Sequence, residues 1–155
     1  MQQPDSSRPP VRLRLAPDYT QLALLEAWVQ DFSLAGELPA RTRFGLELVL
    51  TEAVTNVMDH ARNADGTGAE VAGEIEVICA LRADSVLVEV IDDGSPFDPT
   101  ARAVATLPAN LDEASPGGLG IHLMRRYTSS MEYARERNRN VLRITLPVVP
   151  ETPVS

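Results

Sequence analysis

The hydrophobic residues in the first part of this chain recur with two different periods, which predict one strand followed by two helices. Apolar and polar side chains alternate from Val11 to Leu15, as they do in an edge strand. After Pro17, apolar residues return every three or four positions as far as Phe32, which predicts a helix with one apolar side. Gly36 interrupts this pattern, and a second, longer helical pattern runs from Pro39 to about Arg62.

The second part of the chain predicts a hairpin, a loop, a helix and a second hairpin. Dense apolar runs joined by the short polar turn Ala83-Asp84 are typical of two antiparallel strands, and the turn RNRN at 137–140 separates the last two runs. Residues 98–116 have no period and contain three prolines, which indicates a functional or disordered loop. The predicted strands span 73–82, 85–91, 131–136 and 141–147, and the helix between the hairpins spans 117 to about 129.

This order of elements, β-α-α-β-β-loop-α-β-β, predicts an α/β (α+β) fold. Because strands and helices are grouped rather than strictly alternating, we expect a two-layer α/β sandwich in which helices cover one face of a mostly antiparallel mixed sheet. Residues 11–149 form one predicted domain. The segments 1–10 and 150–155 carry little apolar periodicity, and we expect them to be disordered tails.

Charge and composition narrow the classes of partner. The formal net charge of −8 repels phosphate backbones and anionic lipids, so we expect no direct nucleic-acid binding and no membrane binding. No apolar run approaches the roughly 20 residues that span a bilayer, and the start MQQPDSSRPP lacks the features of a secretory signal. We therefore expect a cytoplasmic protein. The lone cysteine, Cys79, lies in an apolar β-patterned run and is expected to be a buried structural thiol.

The chain has no lysine, because all 14 residues counted as Lys or Arg are arginines. This absence excludes a Walker-type phosphate loop, a protein kinase that uses a strand lysine, and Schiff-base catalysis.

Glu52, Asn56 and His60 form the first polar cluster. Their spacing of four places them on one face of the second helix, beside the apolar stripe and therefore at the edge of the core. A carboxylate and an amide one turn apart can serve as a general base and an oxygen ligand for Mg²⁺. The alternative is an ordinary solvated helix face.

The second cluster, DDGSPFD at 92–98, follows a strongly apolar strand. Asp92 can accept a hydrogen bond from an exocyclic amine such as that of adenine, and Gly94 can let the backbone approach a ligand. An ordinary turn would use the same residues.

The third cluster places Gly117, Gly118 and Gly120 at the start of a helix, where free amides and the helix dipole attract anions. Three glycines sacrifice backbone entropy for close approach, which favours phosphate binding over ordinary capping. The alternative is a flexible lid hinge.

Taken together, the motifs E-A-x-x-N-x-x-x-H-A at 52–61, D-x-G-x-P-F-D at 92–98 and G-G-x-G-I-x-L-M at 117–124 resemble the N box and the two glycine boxes of the Bergerat-fold ATPases. This superfamily includes histidine kinases, gyrase and the heat-shock chaperone. Within it the chain is most similar to the anti-sigma-factor serine/threonine-protein kinases. The resemblance covers roughly residues 11–147.

The resemblance implies a role for each matching residue. Glu52 would be the general base that activates the acceptor hydroxyl, Asn56 would hold Mg²⁺ on the phosphates of ATP, and Asp92 would read the adenine amine. A mobile lid at about 98–116 would cover the phosphates. The remaining residues that the resemblance assigns to the nucleotide are Gly94, Phe97, Gly118, Leu119, Gly120 and Ile121.

The resemblance also implies partners. Similar kinases phosphorylate a small STAS-type anti-anti-sigma protein, sequester a sigma factor in a partner switch, and are usually homodimers. One alternative function is a nucleotide-dependent binding module that transfers no phosphate, which would have no need for a base at Glu52. Half of a split histidine kinase and a gyrase-type hydrolysis machine are less favoured, because the sequence lacks their dimerising helix and transducer domain.

Two features depart from the family pattern or stay unassigned. Relatives often have an acidic residue after the last motif's helix, where this chain reads YTSS at 127–130, and His60 receives no chemical role. One further hypothesis is that Arg102, Arg125 or Arg126 supplies a positive charge toward the γ-phosphate.

Overall fold

The computed structural model describes residues 8–62, 73–101 and 118–151, and the order of its elements is the predicted one. Short 3₁₀ turns at Tyr19–Gln21 and Pro99–Ala101 accompany the main elements. The predicted lid lies outside the described residues from 102 onward. The helices are α1 (Leu22–Ala35), α2 (Ala40–Arg62) and α3 (Gly118–Tyr127), and the strands are β1 (Val11–Leu15), β2 (Ile75–Leu81), β3 (Ser85–Asp92), β4 (Ser130–Glu136) and β5 (Arg139–Pro147).

The strands form one sheet in the order β1-β2-β3-β5-β4, and every pairing among the described strands is antiparallel. The predicted α+β class is confirmed, although the sheet is antiparallel throughout and not mixed. The two hairpins β2–β3 and β4–β5 account for this, because β5 joins them by pairing with β3. The inward positions of β3 and β5 therefore lie side by side.

Alternation along the strands places one set of side chains against the helices and the other toward solvent. Leu46, Val49 and Leu50 of α2 are fully buried against inward strand residues such as Val77 and Val88. Cys79 belongs to this core, and burial raises the pKa of its thiol far above the ordinary range. The prediction that Cys79 is a buried thiol is confirmed.

Ion pairs cover the other face of the sheet. Arg12 pairs with Glu76 across the β1–β2 ladder, and Arg143 pairs with Glu136 at 2.8 Å across the β4–β5 ladder. The hydrogen bond from Arg143 lowers the pKa of the Glu136 carboxyl. Exposed pairs of this kind add little stability, but they identify this face as solvated.

The second hairpin has a tighter turn than the sequence predicted. Arg137 and Asn138 have φ values of 50° and 65°, and β5 already begins at Arg139. A two-residue turn with positive φ at both positions matches the twist of its strands. The expected four-residue turn at 137–140 is therefore wrong, and Asn140 belongs to the sheet.

The ends of the predicted domain are only partly described. Arg8 donates a hydrogen bond to the carbonyl oxygen of Ala35, so this part of the predicted N-terminal tail contacts α1. At the other end, Glu151 accepts a hydrogen bond from the backbone N–H of Ala40 at the start of α2. Among the described helices, none combines the length and the hydropathy needed to cross a bilayer.

Candidate active site

Helix α2 carries the polar cluster at the edge of the core, as its spacing predicted. Glu52, Asn56 and His60 are each half-buried, while their neighbours Ala53 and Met58 are almost fully buried. The helix therefore has one side in the core and presents its polar face where α2 meets the end of the sheet.

Asn56 and Asp92 lie on one cavity. Asp92 is the last residue of β3 and shares the inward phase of Val88 and Val90, so its carboxylate points toward α2 and is only 7% exposed. The cavity has polar groups at one side and apolar walls. Its lining residues are Ala53, Asn56, Val57, Val90, Asp92, Phe97, Pro99, Tyr133, Asn140 and Leu142.

Hydrogen bonds fix the Asp92 carboxylate through one of its oxygens. Oδ1 accepts a hydrogen bond from the Gly94 N–H at 3.0 Å and another from the Asn140 side-chain amide at 3.0 Å. Among the described residues, no group donates to Oδ2. Asp92 therefore keeps one acceptor for an amine that enters the cavity.

Asn140, which sequence reasoning assigned to a turn, is the centre of this network. It lies directly across from Asp92 in the β3–β5 ladder and is 5% exposed. Its amide also donates to the Ser95 carbonyl at 2.9 Å, and its Oδ1 accepts from the Phe97 N–H at 3.2 Å. The sequence does contain a sign of this position. Asn140 lies two residues before Leu142, so alternation along a strand directs both side chains to the same face of the sheet.

The β4 strand supports the same network. The Tyr133 hydroxyl donates to Asn140 Oδ1 at 2.6 Å, and the Arg135 guanidinium donates to the Gly94 carbonyl at 2.7 Å. Arg135 also donates to the side chain of Asn138 in the hairpin turn. The second hairpin thus holds the segment after β3 in place.

His60 connects α2 to that segment. Its Nε2 lies 3.1 Å from Ser95 Oγ, and its ring stacks on Phe97 with a centroid distance of 4.5 Å and an interplanar angle of 18°. His60 joins the first motif to the second by packing and one hydrogen bond.

Helix α3 brings the third motif against the first. A methyl group placed at Gly120 would overlap the Glu52 carboxylate, so α3 lies directly against the end of the Glu52 side chain at this point. Among the described residues Glu52 forms no hydrogen bond or ion pair. Its carboxylate therefore lies beside the glycine-rich start of α3, one turn along α2 from Asn56.

The other residues assigned from the third motif differ in position. Gly118 begins α3 and Leu119 follows it, and Gly117 lies outside the described residues. Ile121 is 6% exposed and packs in the main core. Its side chain therefore serves packing and does not line the site.

Two of the three candidate cations lie away from this site. Arg125 and Arg126 are exposed at the far end of α3, about 8 to 9 Å along the helix axis from Gly120. This position does not favour the hypothesis that they face the γ-phosphate, which stays a prediction. Arg102 lies outside the described residues.

The cavity beside Asp92 is narrow. Its volume is about 20 Å³, which is room for one water molecule, whereas nucleotide-sized ligands occupy sites of several hundred Å³. Binding of a nucleotide base therefore requires this cavity to widen.

The donor set suits Mg²⁺ held mainly by phosphates. Within residues 8–62, 73–101 and 118–151, no group of three His, Cys, Asp or Glu side chains is arranged to hold a metal ion. Mg²⁺ bound to phosphates needs only one or two protein oxygens and keeps several waters. The Asn56 amide fits that requirement.

Comparisons with known proteins identify a matching family and similar kinases. The family described as "Histidine kinase-like ATPase domain" matches residues 15–146. The serine/threonine-protein kinase BtrW of Bordetella bronchiseptica is 31% identical over 125 residues, which cover 81% of this chain and 84% of BtrW. The serine-protein kinase RsbW of Bacillus licheniformis is 34% identical over 83 residues, which cover 51% of this chain and 49% of RsbW.

A solved structure supports the fold. The crystal structure of the RsbU and RsbW domains of a Mycobacterium tuberculosis protein aligns with a TM-score of 0.63 over 96% of this chain. The alignment covers 35% of that longer chain at 15% sequence identity, so the likeness concerns the fold alone.

Proposed function

Because this chain belongs to the histidine kinase-like ATPase domain family, which the three motifs predicted, we propose that it is an ATP-dependent protein serine/threonine kinase of the anti-sigma-factor type. Its curated relatives are named serine/threonine- and serine-protein kinases. The observation that carries the proposal is that Asn56 and Asp92 line one cavity while Glu52 lies one turn away against Gly120.

Base recognition rests on Asp92. Its Oδ1 accepts hydrogen bonds from Gly94 and Asn140, and its Oδ2 accepts a hydrogen bond from the 6-amino group of adenine. The apolar walls at Val57, Val90 and Leu142 exclude water from the faces of the base. A buried acceptor that none of the described residues satisfies favours adenine over a purine without an amine at this position.

Phosphate binding and proton transfer occur at the other end of the site. The first amides of α3, from Gly118 to Gly120, bind the phosphates, and the Asn56 amide oxygen holds Mg²⁺, which neutralises charge on the phosphates when bound. Glu52 accepts the proton of the attacking hydroxyl. Positioning and charge neutralisation supply most of the catalysis, so the site needs no lysine.

The proposed acceptor is a serine or threonine of a STAS-domain anti-anti-sigma protein. Transfer of phosphate to that protein releases it, and the kinase then binds its sigma factor. We further propose that the kinase acts as a homodimer.

The direct experiment is incubation of the purified chain with γ-labelled ATP, Mg²⁺ and a STAS-domain protein from the same genome. We expect label on a serine or threonine of the STAS protein, and no label when Mg²⁺ is replaced by EDTA. ATP binding and complex formation without any transfer would contradict the kinase and favour the nucleotide-dependent binding module.

A further inference from the structure

A group of basic and aromatic side chains lies where α2 begins and α3 ends, and all of its members except the half-buried Tyr127 are exposed. The Arg41 guanidinium lies 5.8 Å from the centroid of the Tyr127 ring, and Phe44 meets the same ring edge-on at 5.8 Å. Arg126 and Arg41 line one small cavity beside that ring. We call Arg41, Phe44, Arg126 and Tyr127 the arginine–aromatic patch.

The patch is costly to the fold by itself. Arg41 lies in the first turn of α2, which contains no acidic residue, and a cation there opposes the helix dipole. Phe44 keeps 59% of its surface exposed, and this is the largest exposed aromatic surface among the described residues. The contacts with the Tyr127 ring stabilise both side chains within the domain, but they leave the charge of Arg41 and the exposed surface of Phe44 open to a partner.

Acidic side chains of the described chain leave this charge unpaired. Neither Arg41 nor Arg126 forms a salt bridge in the part of the chain that the structure describes, although Arg12, Arg14 and Arg143 all do. Glu151 lies near the start of α2, but it bonds the backbone N–H of Ala40 and forms no ion pair with Arg41. The guanidinium groups remain available to a carboxylate.

The patch lies on the same side of α2 as the general base. Arg41, Gly45 and Glu52 are spaced by four and seven residues and therefore share one stripe of the helix. Gly45 packs under Tyr127 as Gly120 packs against Glu52, so α3 runs along this stripe. About 10 Å of helix separates Gly45 from Glu52, a distance that one docked protein can span.

We propose that the arginine–aromatic patch is the docking surface for an acidic segment of the phosphoacceptor protein, a proposal that rests on the kinase function above. Two arginines match carboxylates, and Phe44 and Tyr127 supply an apolar anchor of the kind found in interface centres. Nucleic acid is disfavoured as the occupant, because the net charge of −8 opposes a long phosphate backbone while a local acidic segment meets only the patch.

The test is charge reversal at the patch, with the STAS-domain protein of the transfer assay as the probe. Arg41→Glu with Arg126→Glu should raise the KM for that protein at least tenfold and leave the affinity for Mg-ATP unchanged. The difference from wild type should shrink as salt rises, because the contact is between exposed charges. Arg137→Glu is the matched control, since it reverses an exposed arginine in the distant second hairpin.

A stability measurement separates docking from a structural role. Arg41→Glu gives up the contact with the Tyr127 ring but places an acid in the first turn of α2, which the helix dipole favours, so the Tm should change little while acceptor binding weakens. A fall in Tm that parallels the loss of binding would show that Arg41 serves folding, and it would overturn the proposal.

Other outcomes distinguish this proposal from the kinase function. Full phosphotransfer with an unchanged KM in the double variant would overturn the proposed docking surface and would not affect the proposed kinase function. Patch-dependent binding of the STAS protein without phosphotransfer would support the proposed docking surface and overturn the proposed kinase function. Patch-dependent binding of labelled duplex DNA or of phosphatidylserine vesicles, or a patch-dependent change in the sedimentation of the chain alone, would assign the surface to another occupant.

Discussion

At the base end of the candidate site, Asp92 is held by buried hydrogen bonds that cross from β3 to β5 and on to β4. At the phosphate end, Glu52 forms no hydrogen bond among the described residues and is placed only by the packing of α3 on α2 at Gly120. The sheet therefore supplies a rigid recognition element, while catalysis depends on the contact between two helices. Changes at the two ends should have different signatures in binding and in rate.

The largest expected effect is at the phosphate end. Glu52→Gln keeps the shape of the side chain and removes the base, so the rate of phosphotransfer should fall about 10²- to 10⁴-fold while Mg-ATP still binds. Single-turnover transfer and equilibrium nucleotide binding measure the two quantities. Glu47→Gln, an exposed glutamate on the same helix, is the control. Equal losses of rate and ATP affinity would contradict the assignment of Glu52 as the base.

The next effect tests the helix contact. Gly120→Ala places a methyl group against the Glu52 carboxylate, which can move aside because it ends a flexible side chain. Displacing the base by about 1 Å should slow transfer roughly 10- to 100-fold with little change in Tm.

Gly45→Ala provides the contrast for that variant. Its added methyl would lie 2.7 Å from the Tyr127 ring, so it should lower stability by about 1–3 kcal/mol through overpacking.

In a Glu52→Gln background, Gly120→Ala should have almost no further effect on rate. An undiminished effect would mean that Gly120 acts through something other than Glu52.

At the base end, Asn140→Asp should weaken binding and leave the chemical step alone. The variant removes the donor to Asp92 and to the Ser95 carbonyl and places two buried carboxylates side by side. ATP affinity should fall about tenfold, which corresponds to about 1.4 kcal/mol. The preference for ATP over the triphosphate of unsubstituted purine riboside should fall with it. If that preference survives, Asn140 does not position Asp92.

The sequence predicted some residues of the site and missed others. The inward direction of Asp92 follows from the alternation of Val86, Val88 and Val90, and the shared face of Glu52 and Asn56 follows from helical spacing. The sequence wrongly placed Asn140 in a turn, because the turn before it has a positive φ at Arg137. Arginine has no local preference for that conformation, so propensity favoured a longer turn.

Tertiary packing was the part that local patterns could not supply. The glycines of the third motif predicted an anion site, but the overlap of position 120 with Glu52 depends on how α3 crosses α2. The order of the sheet, with β5 inserted between β3 and β4, likewise comes from long-range pairing. Only the family resemblance predicted that the three motifs form one site, because the contacts between them depend on tertiary packing.

The smallest expected effect concerns the link between the two ends. Ser95→Ala removes the partner of His60 Nε2 and leaves the stacking of His60 on Phe97 in place. Loss of one half-buried hydrogen bond is worth about 0.5–1.5 kcal/mol, so ATP affinity should fall only about two- to tenfold. Ser129→Ala is a matched control at an exposed serine. Should the effects of Ser95→Ala and His60→Leu simply add, the hydrogen bond would carry no coupling between α2 and the base-recognition segment.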